Sequence, residues 1–332
     1  MALAKVILPL EVIRIGEAAF EGTALANIQI PDGVAHIGES AFAQTQLVHV
    51  ALLRKLTRMG ARAFERCSSL LSVDYGATEL TSMPPGAFKG CSSLANVVLP
   101  QGVTRIGGDA FCMCDELATT QIPNGVTRIG TKAFAASGLV HVVLPTTLEK
   151  LGASAFESTP LVSIDLGSTS LGSVPQGAFQ WCRKLAKVTL PPRATRIGKA
   201  AFEDCDALTM VTLPAKLVGI GDSAFEGCVA MTQIELPISL KTLGPRAFAN
   251  CGLKRVDLGK CAGLVNMDPK PIVDAYGYVR DGGVFDGCTQ LSEVVLPVAW
   301  GAVHLGALGL RGFEFSSSGP SGTVFTAKPK GG

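Results

Sequence analysis

The chain is poor in the residues that chemistry most often uses. Only 6% of its 332 residues are aromatic, 17% are charged and four are histidine. Twenty-nine Lys and Arg stand against 27 Asp and Glu, a formal net charge of +2. That balance argues against a general polyanion binder and against an acidic disordered chain. No run of about 18 apolar residues occurs, so no transmembrane helix is expected. The opening "MALAKVILPLEVIRIG" has one early lysine and a short apolar run broken by Pro9, which is not the layout of a signal peptide. GxSxG, a phosphate-binding glycine loop and HExxH are all missing. The expectations are therefore no enzyme, no cofactor, no metal and no membrane span. The protein reads as cytoplasmic as written, or as secreted or cell-surface if a signal peptide has been removed.

What the chain has instead is repetition, the signal to seek before local structure. "GVTRIGGDAF" at Gly102 returns as "GVTRIGTKAF" at Gly125 and as "ATRIGKAAF" at Ala194. The phenylalanine after a small residue recurs at Phe20, Phe42, Phe64, Phe88, Phe111, Phe134, Phe156, Phe179, Phe202, Phe225, Phe248 and Phe285, at steps of 22–24 residues until a final step of 37. The unit reads LxxVxLPxxVTRIGxxAFxxC. In "LANVVLP", Leu94, Val97 and Leu99 point inward with strand alternation, and Pro100 ends the strand because it has no N–H for a ladder. "VTRIG" offers a second short strand, with Val103 and Ile106 inward and Gly107 at a corner. "AFxxC" suits a helical turn. One coil cannot bury its own apolar face, whereas stacked coils pairing in parallel can.

A longer period lies on top. Leu47–Phe88 matches Leu139–Phe179, and a third copy starts near Met231. In each four-coil block one strand-ending proline gives way to glycine, at Gly76, Gly167 and Gly259, two residues after Asp74, Asp165 and Asp257.

The pattern LPxxVTRIGxxAFxxCxxL resembles the BspA-like leucine-rich repeat family, also called the Treponema pallidum type, over residues 3 to about 297. The resemblance implies a curved right-handed leucine-rich repeat solenoid, here of about 12–13 coils, with a parallel sheet on the concave face and short strands and helical turns on the other side. It also implies recognition of other macromolecules, often at microbial surfaces. One solenoid domain over 1–300, with an insertion at 263–283, precedes a C-terminal cap and flexible tail over 301–332. Leu3 to Pro9 reads as a first strand, leaving an uncapped N-terminal edge.

Candidate sites follow from the columns. Eight of ten cysteines fall three residues after the marker Phe, where other coils carry Thr23, Thr45, Ser137 and Thr159. Hydroxyl residues cannot form disulfides and are poor zinc ligands, so the column reads as small buried groups. In "CMC", alternation should send one of Cys112 and Cys114 inward and the other outward. Six residues before the Phe stand Arg14, His36, Arg58, Arg105, Arg128, Lys150 and Arg196, a candidate anion column whose plain reading is a solvated face. It lacks the interleaved aromatics of single-strand binders, so nucleic acid is an unlikely partner. Acids follow the Phe at Glu21, Glu65, Glu157, Glu203, Glu226 and Asp286.

On the concave face the third and fifth strand residues point outward, and His49, Asp74, His141, Asp165, Arg255 and Asp257 are the candidate binding residues. His49 and His141 are too far apart to share a metal. The insertion supplies a candidate binding loop with Asp274, Tyr276, Tyr278 and Arg280, since loops on rigid scaffolds favour recognition. The expected function is a non-catalytic scaffold that recognises another protein, including a host or surface glycoprotein. The alternatives are a microbial adhesin whose secretion signal is absent, and a structural subunit docking through its N-terminal edge.

Overall fold

The computed structural model describes residues 3–52, 54–75, 78–261, 263–264, 272–273, 279–280, 282–296, 307–310, 313–318 and 324–329. The fold is a parallel-strand β-solenoid in which each repeat is one coil with three walls. It divides into two units, residues 1–164 with 168–170, and residues 165–167 with 171–332.

In the first unit, the sheet wall comes from LxxVxLP. His49–Ala51, Ser72–Asp74 and Asn96–Val97 pair in parallel, and Thr119–Gln121 pairs with His141–Val143. The ladder wall comes from VTRIG. Arg14–Ile15, His36–Ile37 and Arg58–Met59 form one three-stranded sheet, and Ser82–Met83, Arg105–Ile106, Arg128–Ile129 and Lys150–Leu151 form another of four strands. In the second unit, Lys187–Thr189 pairs with Met210–Thr212, and Ser173–Val174, Arg196–Ile197, Gly219–Ile220 and Thr242–Leu243 make its ladder wall. Inward residues behave as their spacing requires: Leu94, Val97, Leu99, Val103 and Ile106 are all buried.

The third wall departs from the helical turn expected at AFxxC. It is an array of turns in which the residues two before and two after the Phe adopt left-handed φ, as at Arg62 and Arg66, Lys132 and Ala136, or Ala200 and Asp204. Such conformations are disfavoured outside glycine. What holds them is the stack. The N–H groups of Ala18, Phe20 and Gly22 donate to the carbonyls of Glu39, Ala41 and Ala43 in the next coil, and the same three bonds recur along both units. A helical turn would spend those N–H groups within its own coil.

Two further constraints set the stacking. The Phe rings lie nearly parallel, with centroids 5.2–5.6 Å apart from Phe20 through Phe156. The same stack runs from Phe179 to Phe285 at 5.2–5.9 Å. The corner glycines are sterically required. A Cβ on Gly107 would lie 2.6 Å from the backbone nitrogen of Pro85 in the coil below.

Some expectations fail at the ends. Leu3–Pro9 forms no strand, and neither does Asn27–Gln29, although both carry the strand pattern. Ile7, Leu10 and Ile13 are correspondingly 83%, 80% and 62% exposed. At the other end, the turn array closes on Ala307 and Leu308, whose carbonyls accept from Val284 and Phe285 N–H. Phe313–Ser318 and Val324–Pro329 form an antiparallel pair, and the latter strand also pairs antiparallel with Glu293–Leu296. Pairing satisfies an edge that would otherwise lie open. Val295, expected to face outward, is buried there.

Two substitutions test this packing. Phe134→Ala, in the middle of the first unit's ring stack, should cost about 3–5 kcal/mol in denaturant unfolding, and a loss below about 1 kcal/mol would show that the Phe column is not core. Gly130→Ala drives its Cβ onto the Gly107 and Gly108 backbone and should cost about 3 kcal/mol, the upper end for overpacking, whereas Gly16→Ala, with nothing within 4 Å, should stay within about 0.5 kcal/mol.

Candidate functional site

The cysteine column is structural. Cys67, Cys91, Cys114, Cys205, Cys228, Cys251 and Cys288 each lie with Sγ 3.0–3.2 Å from the carbonyl of the preceding coil's Phe, to which the thiol donates. Where the column holds a hydroxyl, the bond goes instead to the same coil's Phe, as from Thr45, Ser137 and Thr159 at 2.7–2.9 Å. Burial pushes the Cys228 and Cys251 thiols well up, and that of Cys288 up to about 11, which keeps them protonated donors. The "CMC" reading needs correction. Cys112 and Cys114 are both buried and Met113 points out, because the left-handed φ at Met113 turns the chain between them. Among the described residues no three His, Cys, Asp or Glu side chains gather as a metal site.

The sheet wall exposes His49, Asp74, His141, Asp165 and Arg255, and leaves Asp257 half-buried. His49 is exposed, its Nδ1 2.8 Å from Ser72 Oγ, and His141 lies four coil steps away, roughly 19 Å at strand spacing. Asp165 and Asp257 have a local task that the sequence pairing with glycine hinted at. Asp165 Oδ1 accepts from Gly167 N–H at 2.8 Å, and Asp257 Oδ1 from Gly259 N–H at 2.8 Å. Coils with proline there have no N–H to satisfy. Asp74 holds the equivalent place, and Gly76 lies outside the described residues. Arg255 Nε donates to Glu293 Oε2 at 3.0 Å and lies beside Asp257 on one cleft. Asp274, Tyr276 and Tyr278 of the insertion lie outside the described residues. Arg280 belongs to the strand Val279–Arg280, antiparallel to Ile272–Val273.

Shallow clefts open on the same wall. One of about 380 Å³ is lined by Asn96–Val98, Thr119–Gln121 and His141–Val143. Another, of about 370 Å³, is lined by Met210–Leu213, Ala215 and Gln233–Pro237. Val98, Val143 and Met210 stand 70%, 79% and 58% exposed beside them. The candidate anion residues Arg14, Arg58, Arg105, Arg128, Lys150 and Arg196 are exposed on the ladder wall, and among the described residues none makes an ion pair with the acidic column.

Two features escaped the sequence reading. Arg246, two residues before its Phe, is buried and reaches the buried Glu226 carboxylate with Nη2 at 2.7 Å and Nε at 3.1 Å, and Asp286 with Nη1 at 3.7 Å. Upstream, Gln180 Nε2 donates to Glu203 Oε2 at 2.8 Å. Burial, then the charges of Glu226 and Asp204, push Glu203 up to about 7. Trp181 is the other feature, 42% exposed with left-handed φ, its Nε1 donating to Asp204 Oδ2 at 3.2 Å. The acid column was visible in sequence, but the arginines that reach it, Arg246 at Glu226 and Arg62 at Glu65, sit two residues before a Phe, in a different column.

Residues 1–117, 77–171, 104–228 and 168–265 match the family described as BspA type leucine rich repeat region. A leucine-rich repeat protein from Bacteroides ovatus is similar at 28% identity, with 77% of this chain and 72% of that one covered and a TM-score of 0.67. A leucine rich cell surface protein from Faecalibacterium prausnitzii shares the fold at 22% identity, covering 90% and 86%, TM-score 0.55. A leucine-rich repeat protein from Eubacterium ventriosum does so at 19% identity, covering 79% and 71%, TM-score 0.52. No curated protein matches the chain. Among the described residues no helix is long and apolar enough to cross a membrane.

The raised Glu203 gives a pH test. The folded state holds this proton above the ordinary carboxyl value of 4.5, up to about 7, so the unfolded state has fewer protons bound across that window. Stability from this group therefore falls as pH rises from about 4.5 to 7 and is level above it. Glu203→Gln should flatten that fall when melting midpoints of the two proteins are compared across pH 4–8; parallel curves would show Glu203 to titrate normally.

Proposed function

The chain belongs to the BspA-type leucine-rich repeat family, and from that premise we propose that it is a non-catalytic recognition module that binds another protein through its sheet wall. The observation that carries the reading is a contrast within each coil. The inward positions repeat almost unchanged, with Leu, Val, Ile and Phe buried throughout. The outward positions on the same strands change at every step: His49, Ser72, Asn96, Thr119 and His141 stand at one register, and Ala51, Asp74, Val98, Gln121 and Val143 at the next. A scaffold that keeps its core and varies its face from coil to coil presents in each unit a surface of changing chemistry, which suits a protein partner better than a repeated chemical step. Exposed Val98 and Val143 line the first cleft as apolar contacts with His141 as a polar one, His49 is exposed on the same unit's wall, and Arg255 and Asp257 line a separate cleft of the second unit. Asp274, Tyr276, Tyr278 and Arg280 of the insertion are further candidate contacts for that partner, and a host or surface glycoprotein is the partner class. Such a partner would be met outside the cell, where the leucine rich cell surface protein of Faecalibacterium prausnitzii lies.

A second reading, docking through the N-terminal edge, has its own support. Leu3, Ile7, Leu10 and Ile13 are exposed beside a cleft of about 970 Å³ that Val6–Leu10 and Ile28–Gly33 line. Among the described residues no backbone N–H reaches the carbonyls of Glu17, Ala19 and Glu21.

The readings separate experimentally. Partner capture by the immobilised protein, quantified by mass spectrometry, should lose its specific partner by tenfold or more with Val98→Asp/Val143→Asp, whose side chains are exposed, while the melting midpoint holds. Retention by that variant would move recognition off the sheet wall. Concentration-dependent sedimentation abolished by Ile7→Asp/Leu10→Asp would favour the edge.

A further inference from the structure

The ladder wall of the first unit carries cations that pair with no acid among the described residues. Arg105, Arg128 and Lys150 are Cα-to-Cα partners in neighbouring parallel strands, and Arg14, His36 and Arg58 form a second such trio. Parallel register holds each trio at steps of about 4.8 Å. Like charges directly side by side are unfavourable. Other cations of this unit have acids: Lys89 meets Asp109 at 3.1 Å, Arg62 meets Glu39 at 3.4 Å, and Lys132 meets Glu157 at 4.0 Å. Arg14, Arg58, Arg105, Arg128 and Lys150 are exposed and make no ion pair with any described residue.

The surroundings give the row a shape. On one side runs the glycine corner, Gly107, Gly130 and Gly152, where the backbone of the coil below leaves no room for a side chain. On the other side Thr104 and Thr127 hold their hydroxyls 3.2 and 3.4 Å from the carbonyls of Thr81 and Thr104. The result is a cationic line with a bare glycine edge on one side and, on the other, threonines beside Arg105 and Arg128 and the exposed Glu149 beside Lys150, along which a linear polymer can lie.

From this we infer that the ladder wall of the first unit binds a linear acidic polysaccharide carrying one carboxylate per sugar, independently of the sheet wall. Charge complementarity selects a polyanion, and the groups beside the row select among polyanions. Acidic side chains on one face of an extended peptide recur at about 6.6 Å, out of step with the row. A nucleic acid strand would call for interleaved aromatics, and the track has none. A linear acidic polysaccharide carries hydroxyls beside its carboxylates, and Thr104 and Thr127 stand beside Arg105 and Arg128.

The test is a titration with a labelled galacturonate hexamer at several salt concentrations, against a neutral glucose hexamer and an oligothymidylate of equal length. The protein should prefer the galacturonate at low salt. Arg105→Gln/Arg128→Gln/Lys150→Gln should weaken it at least tenfold and lower the slope of log affinity against log salt by about two, if each contact is worth roughly 0.7 as on single strands. Its melting midpoint should stay level or rise. Val98→Asp/Val143→Asp should leave this binding unchanged. If the triple variant does not fold, Arg128→Gln alone breaks the row at its centre and should cost several-fold. No galacturonate binding at low salt, unchanged affinity in the folded variants, or equal affinity for oligothymidylate would each overturn the assignment.

Discussion

Each coil lies on the next in register, so every position meets its own kind at strand spacing. That constraint decides which residues the repeat can use. Phenylalanine on phenylalanine gains a stacked contact, and glycine on glycine lets two backbones pass where a Cβ would collide. A cysteine finds the carbonyl of the Phe below it, and a threonine at the same place turns to its own. Arginine on arginine gains nothing, and its persistence on an exposed wall sets that wall apart from the others.

Much of this was legible in the sequence because periodicity reports which side of a coil a residue faces. Val97, Ile106 and Phe111 were placed inward from spacing alone, and proline after the strand marked its end. Spacing does not report backbone dihedrals. Nothing in the letters of Arg62, Lys132 or Trp181 announces a left-handed φ, since the stack's hydrogen bonds impose it against local preference. The same blindness misplaced Cys112, whose burial depends on the twist at Met113. Partner choice between columns was hidden too: Glu226 belongs to a visible acidic file, but Arg246 enters from two residues before the Phe.

The candidate site was legible as a surface and not as a constellation. Alternation told which strand residues face out. It did not tell that Asp165 and Asp257 are occupied by the N–H groups of the glycines two residues on. Nor did it show that unpaired strand patterns at Leu3–Pro9 and Asn27–Gln29 would leave an apolar cleft, since a pattern makes a strand only when a neighbour supplies the ladder. Function of this kind rests on area and contrast, which a motif search does not register.

The turn array has one further consequence. In each unit its inter-coil bonds all run from an N–H of one coil to a carbonyl of the following coil. Peptide dipoles aligned in this way add, as they do along a helix axis. A wall of turns with no helix in it therefore carries a macrodipole along the stacking direction, negative at the coil nearest the N-terminus and positive at the opposite end. The stack is vectorial: a coil added at one end must offer donors, and a coil added at the other must offer acceptors. A duplicated block of coils inserted in frame satisfies both requirements at once, so the array can lengthen by copying without inventing a new interface.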